Sequence, residues 1–359
     1  MRNCKGARVV CLLIDDAIPK KVSRASIRST PHLFIFLLTF SLFVFPDIAA
    51  SQTGPPVYSN KLKNVTGRYS IAFVSDTQAP LWIEEPWRLS DENERATRTI
   101  LHAIARDSTC VALFHLGDIT GMGSVGDLWD IFDENSRLLR RAKIPLLPAF
   151  GNHEYMPFPE SGKRNFLLRF PFVTESWYET RVGSVAVIIL NSNFSHLSEI
   201  ESKDQQRWYR QTLDNLDRDS VISIVLVGCH HSPFTNSTVV DPAEEVRQTF
   251  VLPFMKSRKA RLFLSGHSHA LEHFRIHGED FLVLGGGGGL LHPLLLGNEQ
   301  RWPDQFTHEG RKTFFHYVRL TPGTDKLGVE ILGLSSRRDS LERMYGFDIP
   351  CTTPDTLSH

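Results

Sequence analysis

Five apolar runs in this 359-residue chain each stop at a turn that carries oxygen or nitrogen donors. Residues 69–74 run into Ser75-Asp76-Thr77-Gln78, residues 111–116 into Gly117-Asp118, and residues 144–150 into Gly151-Asn152-His153-Glu154. Further on, residues 221–228 lead to Cys229-His230-His231, and residues 261–265 to Gly266-His267-Ser268-His269. A short apolar run bounded by a turn signal reads as a buried strand. Donors at the carboxyl ends of such strands converge on one sheet edge, where open α/β sheets bind their ligands. Carboxylates, amides and imidazoles together form a donor set that suits Zn, Mn or Fe.

Helical patterns lie between the strands. They are expected over 91–105, 124–142, 203–217 and 243–257, and their alternation with strands points to α/β layering. Composition is that of an ordinary globular chain, with 41% hydrophobic and 22% charged residues. A formal net charge of zero argues against a nucleic-acid polyelectrolyte binder.

Residues 1–50 are different material. An uncharged apolar stretch over 33–45 follows Lys20, Lys21, Arg24 and Arg28 and precedes Pro46-Asp47-Ile48-Ala49-Ala50. That is the layout of a signal peptide with a long basic leading region. Thirteen residues fall short of the roughly 20 that span a bilayer. Export to a secreted or periplasmic location follows, with no stable membrane span after cleavage; the alternative is an anchor through 33–45. A linker (51–67), one main domain (68–334) and a loosely held polar tail (335–359) complete the expected organisation. Cleavage after residue 50 leaves 33 basic against 37 acidic residues, a mild negative balance. Cys110, Cys229 and Cys351 remain, an odd number that implies no disulfide framework. Asn64, Asn193 and Asn236 match the glycosylation acceptor pattern, which matters only in a eukaryotic host.

The motif series resembles that of the calcineurin-like metallophosphoesterase superfamily: D-x-H, GD, GNH[DE], H and GHxH. Here it reads Asp76-Thr77-Gln78, Gly117-Asp118, Gly151-Asn152-His153-Glu154, His230 and Gly266-His267-Ser268-His269. Weaker likeness extends through Trp177-Tyr178, 185–193, 204–209 and the glycine run Gly285–Gly289. The resemblance implies a four-layer α/β/β/α sandwich of two mixed β-sheets (α/β, or α+β in some schemes). It also implies hydrolysis of a small phosphate ester, mono- or diester, by a hydroxide activated at a dinuclear metal centre. The cofactors implied are two divalent or mixed-valence ions of Mn, Fe or Zn.

By the same resemblance Asp118 bridges the metals. Asp76 and His269 serve site one, and Asn152, His230 and His267 serve site two. His153 faces the scissile phosphate as the catalytic acid, Glu154 is a candidate to orient it, and His231 is a substrate contact or supports a ligand. Gln78 stands where the family usually has histidine. It offers an amide oxygen to site one, directly or through water, or else leaves that site loosely held. A fold kept for binding, with catalysis lost through an impaired site one, is therefore the alternative to an enzyme. The tyrosine that marks the purple acid phosphatases would fall at Gly121, so their coloured centre is not expected. The spacing of His267 and His269 places both on one side of an extended strand end. His102, His115, His273 and His277 read as structural or exposed. Gly285–Gly289 reads as a crowded strand end, with a backbone phosphate cradle the alternative.

Overall fold

The computed structural model describes residues 54–62, 65, 67–80, 92–307, 313–335 and 340–351. The expected leader, with its apolar stretch over 33–45, and Asn64 lie outside them. No helix among the described residues is long and apolar enough to cross a membrane.

Among the described residues, twelve strands form two six-stranded sheets. In chain order they are β1 (Ser70–Val74), β2 (Cys110–His115), β3 (Leu146–Pro148), β4 (Tyr178–Val182), β5 (Val185–Ile189) and β6 (Ile224–Cys229). There follow β7 (Ala260–Ser265), β8 (Leu271–Ile276), β9 (Glu279–Leu284), β10 (His316–Pro322), β11 (Lys326–Leu334) and β12 (Leu341–Pro350). The first sheet runs β12-β11-β10-β1-β2-β3 and the second β4-β5-β6-β7-β9-β8. Both are mixed: β1, β2 and β3 are parallel, as are β5, β6, β7 and β9, while the remaining pairings are antiparallel.

The apolar runs are continuous because both faces of each sheet are covered. Ile71 and Phe73 of β1 point between the sheets, where they join Val185, Val187 and Ile189 of β5. Ala72 and Val74 face the other way, onto α1 (Glu92–Arg106) through Ile100, Leu101 and Ile104. Across the molecule Ala186, Ile188 and Leu190 pack against Tyr209, Leu213 and Leu216 of α2 (Glu199–Arg218). Ser198 and Glu201 start that helix with a reciprocal capping box. Helix, sheet, sheet, helix is thus the layer order.

Two segments differ from expectation. In the supposed linker, Tyr58 is buried and donates to Asp133 at 2.9 Å while stacking on Phe170. In the supposed tail, residues 341–350 form β12, which pairs along β11 and buries Ile349 between the sheets. Tyr345 of β12 also lies 2.8 Å from Nδ1 of His273 on β8, and Phe347 stacks on the same ring. The strand escaped notice because one face is polar and only Ile349 is buried, with Tyr345 and Phe347 half-buried at alternate positions before it. Two of the acceptor-pattern asparagines, Asn193 and Asn236, are buried with their amides committed to protein partners.

Truncation after residue 335 should bare the β11 edge and expose the core face that Ile349 covers. Losing that one side chain is worth about 1.5–3 kcal/mol, and an open edge invites strand pairing between molecules. A lower thermal midpoint and higher oligomers in size-exclusion chromatography are expected; an unchanged midpoint would show that β12 adds nothing.

Candidate metal centre

Every donor-bearing motif follows a parallel strand: Asp76 after β1, Asp118 after β2, Asn152 and His153 after β3, His230 after β6, and His267 and His269 after β7. The two sheets present these carboxyl ends along a common edge, so donors from both meet. Chain reversal there is abrupt. Asp76, Asp118 and His267 all take left-handed backbone angles, with φ of 59°, 53° and 65°. Such angles cost non-glycine residues on the order of 1–3 kcal/mol and cluster at functional sites. Hydrogen bonds hold them: Asp76 N–H donates to Gly117 O at 3.1 Å, and Thr77 N–H to Asp118 O at 3.0 Å. Gly117 is itself left-handed at φ 95°, and a Cβ there would sit 2.5 Å from Gly151 N.

The expected extended geometry of 266–269 is not what forms. Ser268 N–H donates to Gly266 O at 2.7 Å, closing a tight three-residue turn about the left-handed His267. The two histidines are separated by turns, and His269 swings toward Asp76 instead of lying beside His267.

Two groups of donors result. Asp76, Asp118 and His269 bring one ligand atom each within 4.8 Å of one another, and so do His230, His231 and His267. His269 Nε2 lies 3.3 Å from Asp76 Oδ1, and His230 Nε2 lies 3.2 Å from Asp118 Oδ2. Asn152 Oδ1 is 3.0 Å from the same His230 nitrogen. Asp118 therefore stands between the groups.

Backbone carbonyls fix the imidazoles. His230 Nδ1 is 2.9 Å from Leu116 O, His269 Nδ1 is 2.7 Å from Leu290 O, and His153 Nδ1 is 2.6 Å from Gly121 O. In each the Nδ1 proton is donated outward and Nε2 points inward, the tautomer that metal-binding histidines use. The Gln78 amide nitrogen lies 3.1 Å from His269 Nε2, which leaves its Oε1 buried without a hydrogen-bond partner. A lone amide oxygen, two buried carboxylates whose partners are imidazoles and one backbone N–H each, and inward-facing Nε2 atoms are a donor set that fits cations. Asp76, Asp118, His269 and Gln78 would hold one, and Asn152, His230 and His267, sharing Asp118, the other.

Charge states follow the same geometry. Burial disfavours charge on His230, but Asp118 and then Asp76 outweigh it and raise the imidazole to about 9. Burial likewise works against ionised Asp118, yet His230 and His153 hold its carboxyl well below the usual range. His267 is pushed well down by burial and by its histidine neighbours, and His231 to about 3 for the same reasons.

Glu154 bonds backbone N–H groups rather than the His153 ring. Its carboxylate is wholly buried and accepts N–H groups from Gly151 (2.7 Å), Asp118 (2.8 Å) and Ile119 (2.8 Å). It clamps the loop after β2 to the loop after β3, while the carbonyl of Gly121 aims His153. Burial and the adjacent Asp118 charge raise Glu154 to about 7, opposed by those N–H donors. The glycine run is packed against the Asp76 loop. Gly287 N–H and Gly289 N–H donate to Ser75 O and Asp76 O, so they are not free to cradle phosphate. His115 is buried with Nε2 on Thr77 Oγ1 and its ring edge-on to Phe132.

Sequence reasoning overlooked His292. Its ring stacks on His269 with centroids 4.3 Å apart, and its Nδ1 accepts the His269 backbone N–H at 3.2 Å. Ser192 was also overlooked: its Oγ lies 2.8 Å from His231 Nδ1. The carbonyls that aim the rings carry no residue-type signal at all.

A family model described as calcineurin-like phosphoesterase matches residues 69–271, more than half of the chain. Two uncharacterized proteins of Mycobacterium tuberculosis are each 29% identical over 167 residues, which is 40% of this chain and 30% of theirs. The chain thus spans under a third of the length of the curated relatives it matches. Among solved structures, purple acid phosphatase PPD1 of yellow lupin superposes with a TM-score of 0.63 at 17% identity, over 82% of this chain and 56% of that one. GAP50, the anchor in the inner membrane complex of Plasmodium, gives 0.58 at 11% over 81% and 91%. A dimetal phosphatase of Danio rerio gives 0.53 at 13% over 79% and 98%. At these identities the likeness is one of fold.

Glu154→Gln would turn an amide N–H₂ toward N–H donors. Leaving one or two buried N–H groups unpaired costs about 1–3 kcal/mol each. The metal-free variant should therefore melt at a lower temperature than the metal-free wild type. An unchanged melting temperature with a slowed reaction would instead return Glu154 to a role at His153.

Proposed function

The chain belongs to the calcineurin-like phosphoesterase family, and we propose that it is an exported hydrolase of small phosphate esters working at a dinuclear metal centre. The observation that carries this reading is the meeting of Asp76, Asp118, Asn152, His230, His267 and His269 at one edge, with His153 Nε2 facing the same point, 3.8 Å from Asp118 Oδ2. When bound, two cations polarise phosphoryl oxygens and acidify water.

The protein's own groups do the rest. Asp118, set between the two donor groups, is the shared carboxylate. His153 is partly open, its side chain 17% exposed, as a group that meets substrate must be. Gly121 O keeps the Nδ1 proton in place, so the proton an imidazolium passes on is the one at Nε2. That proton goes to the departing oxygen of the ester. Its backbone N–H donates to Asp118 Oδ1 at 2.9 Å, tying the acid to the bridging carboxylate. The signal-like leader supports export, and the near-neutral charge supports a small substrate held locally.

A second reading keeps the fold and loses the chemistry. It is favoured by one residue: Gln78 at a position where the family uses imidazole. Turnover of p-nitrophenyl phosphate and its bis-ester with added Mn separates the two. No turnover of either with both sites loaded would favour the binding protein.

Asp118→Asn should lose both metal and activity, and full metal content with normal turnover would overturn the shared-carboxylate role. His153→Ala should retain metal while the chemical step slows by about 10²–10⁴-fold. The loss should shrink with a p-nitrophenolate leaving group, which needs little protonation; metal loss instead would contradict the role given to His153.

Gln78→His should tighten the first site and move it from Mn or Fe(II) toward Zn, because imidazole is a softer donor than an amide oxygen. Gln78→Ala should loosen that site severely if the amide binds directly and modestly if water intervenes. Metal content after dialysis against a weak chelator reads all three proteins, and identical retention would show that Gln78 takes no part.

A further inference from the structure

The corner that holds His230 and His267 contains a third imidazole. His231 follows His230 in the chain, and its ring centroid lies 4.5 Å from that of His267 and 4.9 Å from that of His230. One donor atom from each of the three comes within 4.8 Å of the other two, as close as the atoms of Asp76, Asp118 and His269 in the opposite corner. Adjacent residues on an extended strand would face opposite ways. Here β6 ends at Cys229, and both rings turn inward.

Ser192 fixes the ring of His231. Its Oγ accepts the His231 backbone N–H at 3.0 Å and lies 2.8 Å from Nδ1. When Nδ1 donates its proton to Ser192 Oγ, Nε2 carries the free lone pair. His230 makes the matching arrangement with Leu116 O. An imidazole that hands its outer proton to an oxygen is the usual form of a metal ligand.

Building on the metal-dependent reading above, we propose that His231 is an additional ligand of the second site. Beside the shared Asp118, that corner then offers three imidazoles and the Asn152 amide, against the Asp76 carboxylate, one imidazole and the Gln78 amide in the first. Imidazole suits Zn, whereas carboxylate and amide oxygen suit Mn or Mg. The centre therefore sorts its cations, a Zn at His230, His231 and His267 and a harder ion at Asp76, Asp118 and His269.

The test is metal binding by the full chain after stripping with chelator. Zn and Mn are titrated separately against a chromophoric competitor, in wild type, His231→Ala and Ser192→Ala. Zn affinity at one site should fall about 100-fold in His231→Ala and about 10-fold in Ser192→Ala, the range seen when groups around a metal site are removed. Mn affinity should not change. The Co(II)-loaded protein should also lose visible absorption at one site in His231→Ala. Equal melting temperatures of the metal-free proteins would show the fold intact, and Ser192→Ala, which leaves the ring in place, keeps the test open should the alanine variant not fold. Zn binding as tight as wild type in His231→Ala, with weakened inhibition by inorganic phosphate, would overturn the proposal and make His231 a substrate contact. A wild type that binds neither Zn nor Mn would overturn the proposed function itself. Two-metal binding that both variants leave unchanged would overturn only the role of His231.

Discussion

The carboxylate of Glu154 joins two loops that leave neighbouring strands. Without it, the N–H groups of Gly151, Asp118 and Ile119 would be buried and unpaired, at about 1–3 kcal/mol each. With it, the loop after β2 and the loop after β3 have one relative position. Asp118, Asn152 and His153 all depend on that position. His153 and Asp118 are thus placed by a residue whose carboxylate turns to backbone N–H groups.

The same economy runs through the other strand ends. Left-handed angles at Asp76, Asp118 and His267 turn each side chain back over the sheet edge, and their N–H groups are taken up by the Gly117 carbonyl and by the Glu154 and Asp76 carboxylates respectively. Gly117 and Gly151 let the two loops touch, since a Cβ on either would strike the other's backbone. The glycine run after β9 does likewise for the Asp76 loop. Strain at the donors is sustained by close backbone contact, which is why the glycines flank the ligands.

Gln78 and His231 bear on function in opposite directions. Gln78 brings an amide to the Asp76 corner, its nitrogen 3.1 Å from His269 Nε2, where the family pattern has an imidazole. His231 gives the other corner an imidazole beyond that pattern. Together they underlie the proposed contrast between the two donor groups and in the metals that each would favour.

The sequence alone determined the five strands that lead to donors, and the donors at their ends, because buried strands and strand-end turns are written in residue type. Asp76, Asp118, Asn152, His230, His267 and His269 were legible for that reason, and so was the family. What the sequence could not say is which way each group faces. Glu154 follows His153 in the chain, which suggested a partnership, but its carboxylate turns to the backbone of another loop. Ser192 and His231 are 39 positions apart, and His269 and His292 are 23 apart; only the packing of β5 beside β6, and of the loop after β9 over His269, brings them together. Strand β12 was missed because its polar face hides an alternation that only pairing with β11 makes necessary. Tertiary structure decided these points because backbone angles and carbonyl directions depend on neighbours far along the chain and leave no mark on the residues themselves.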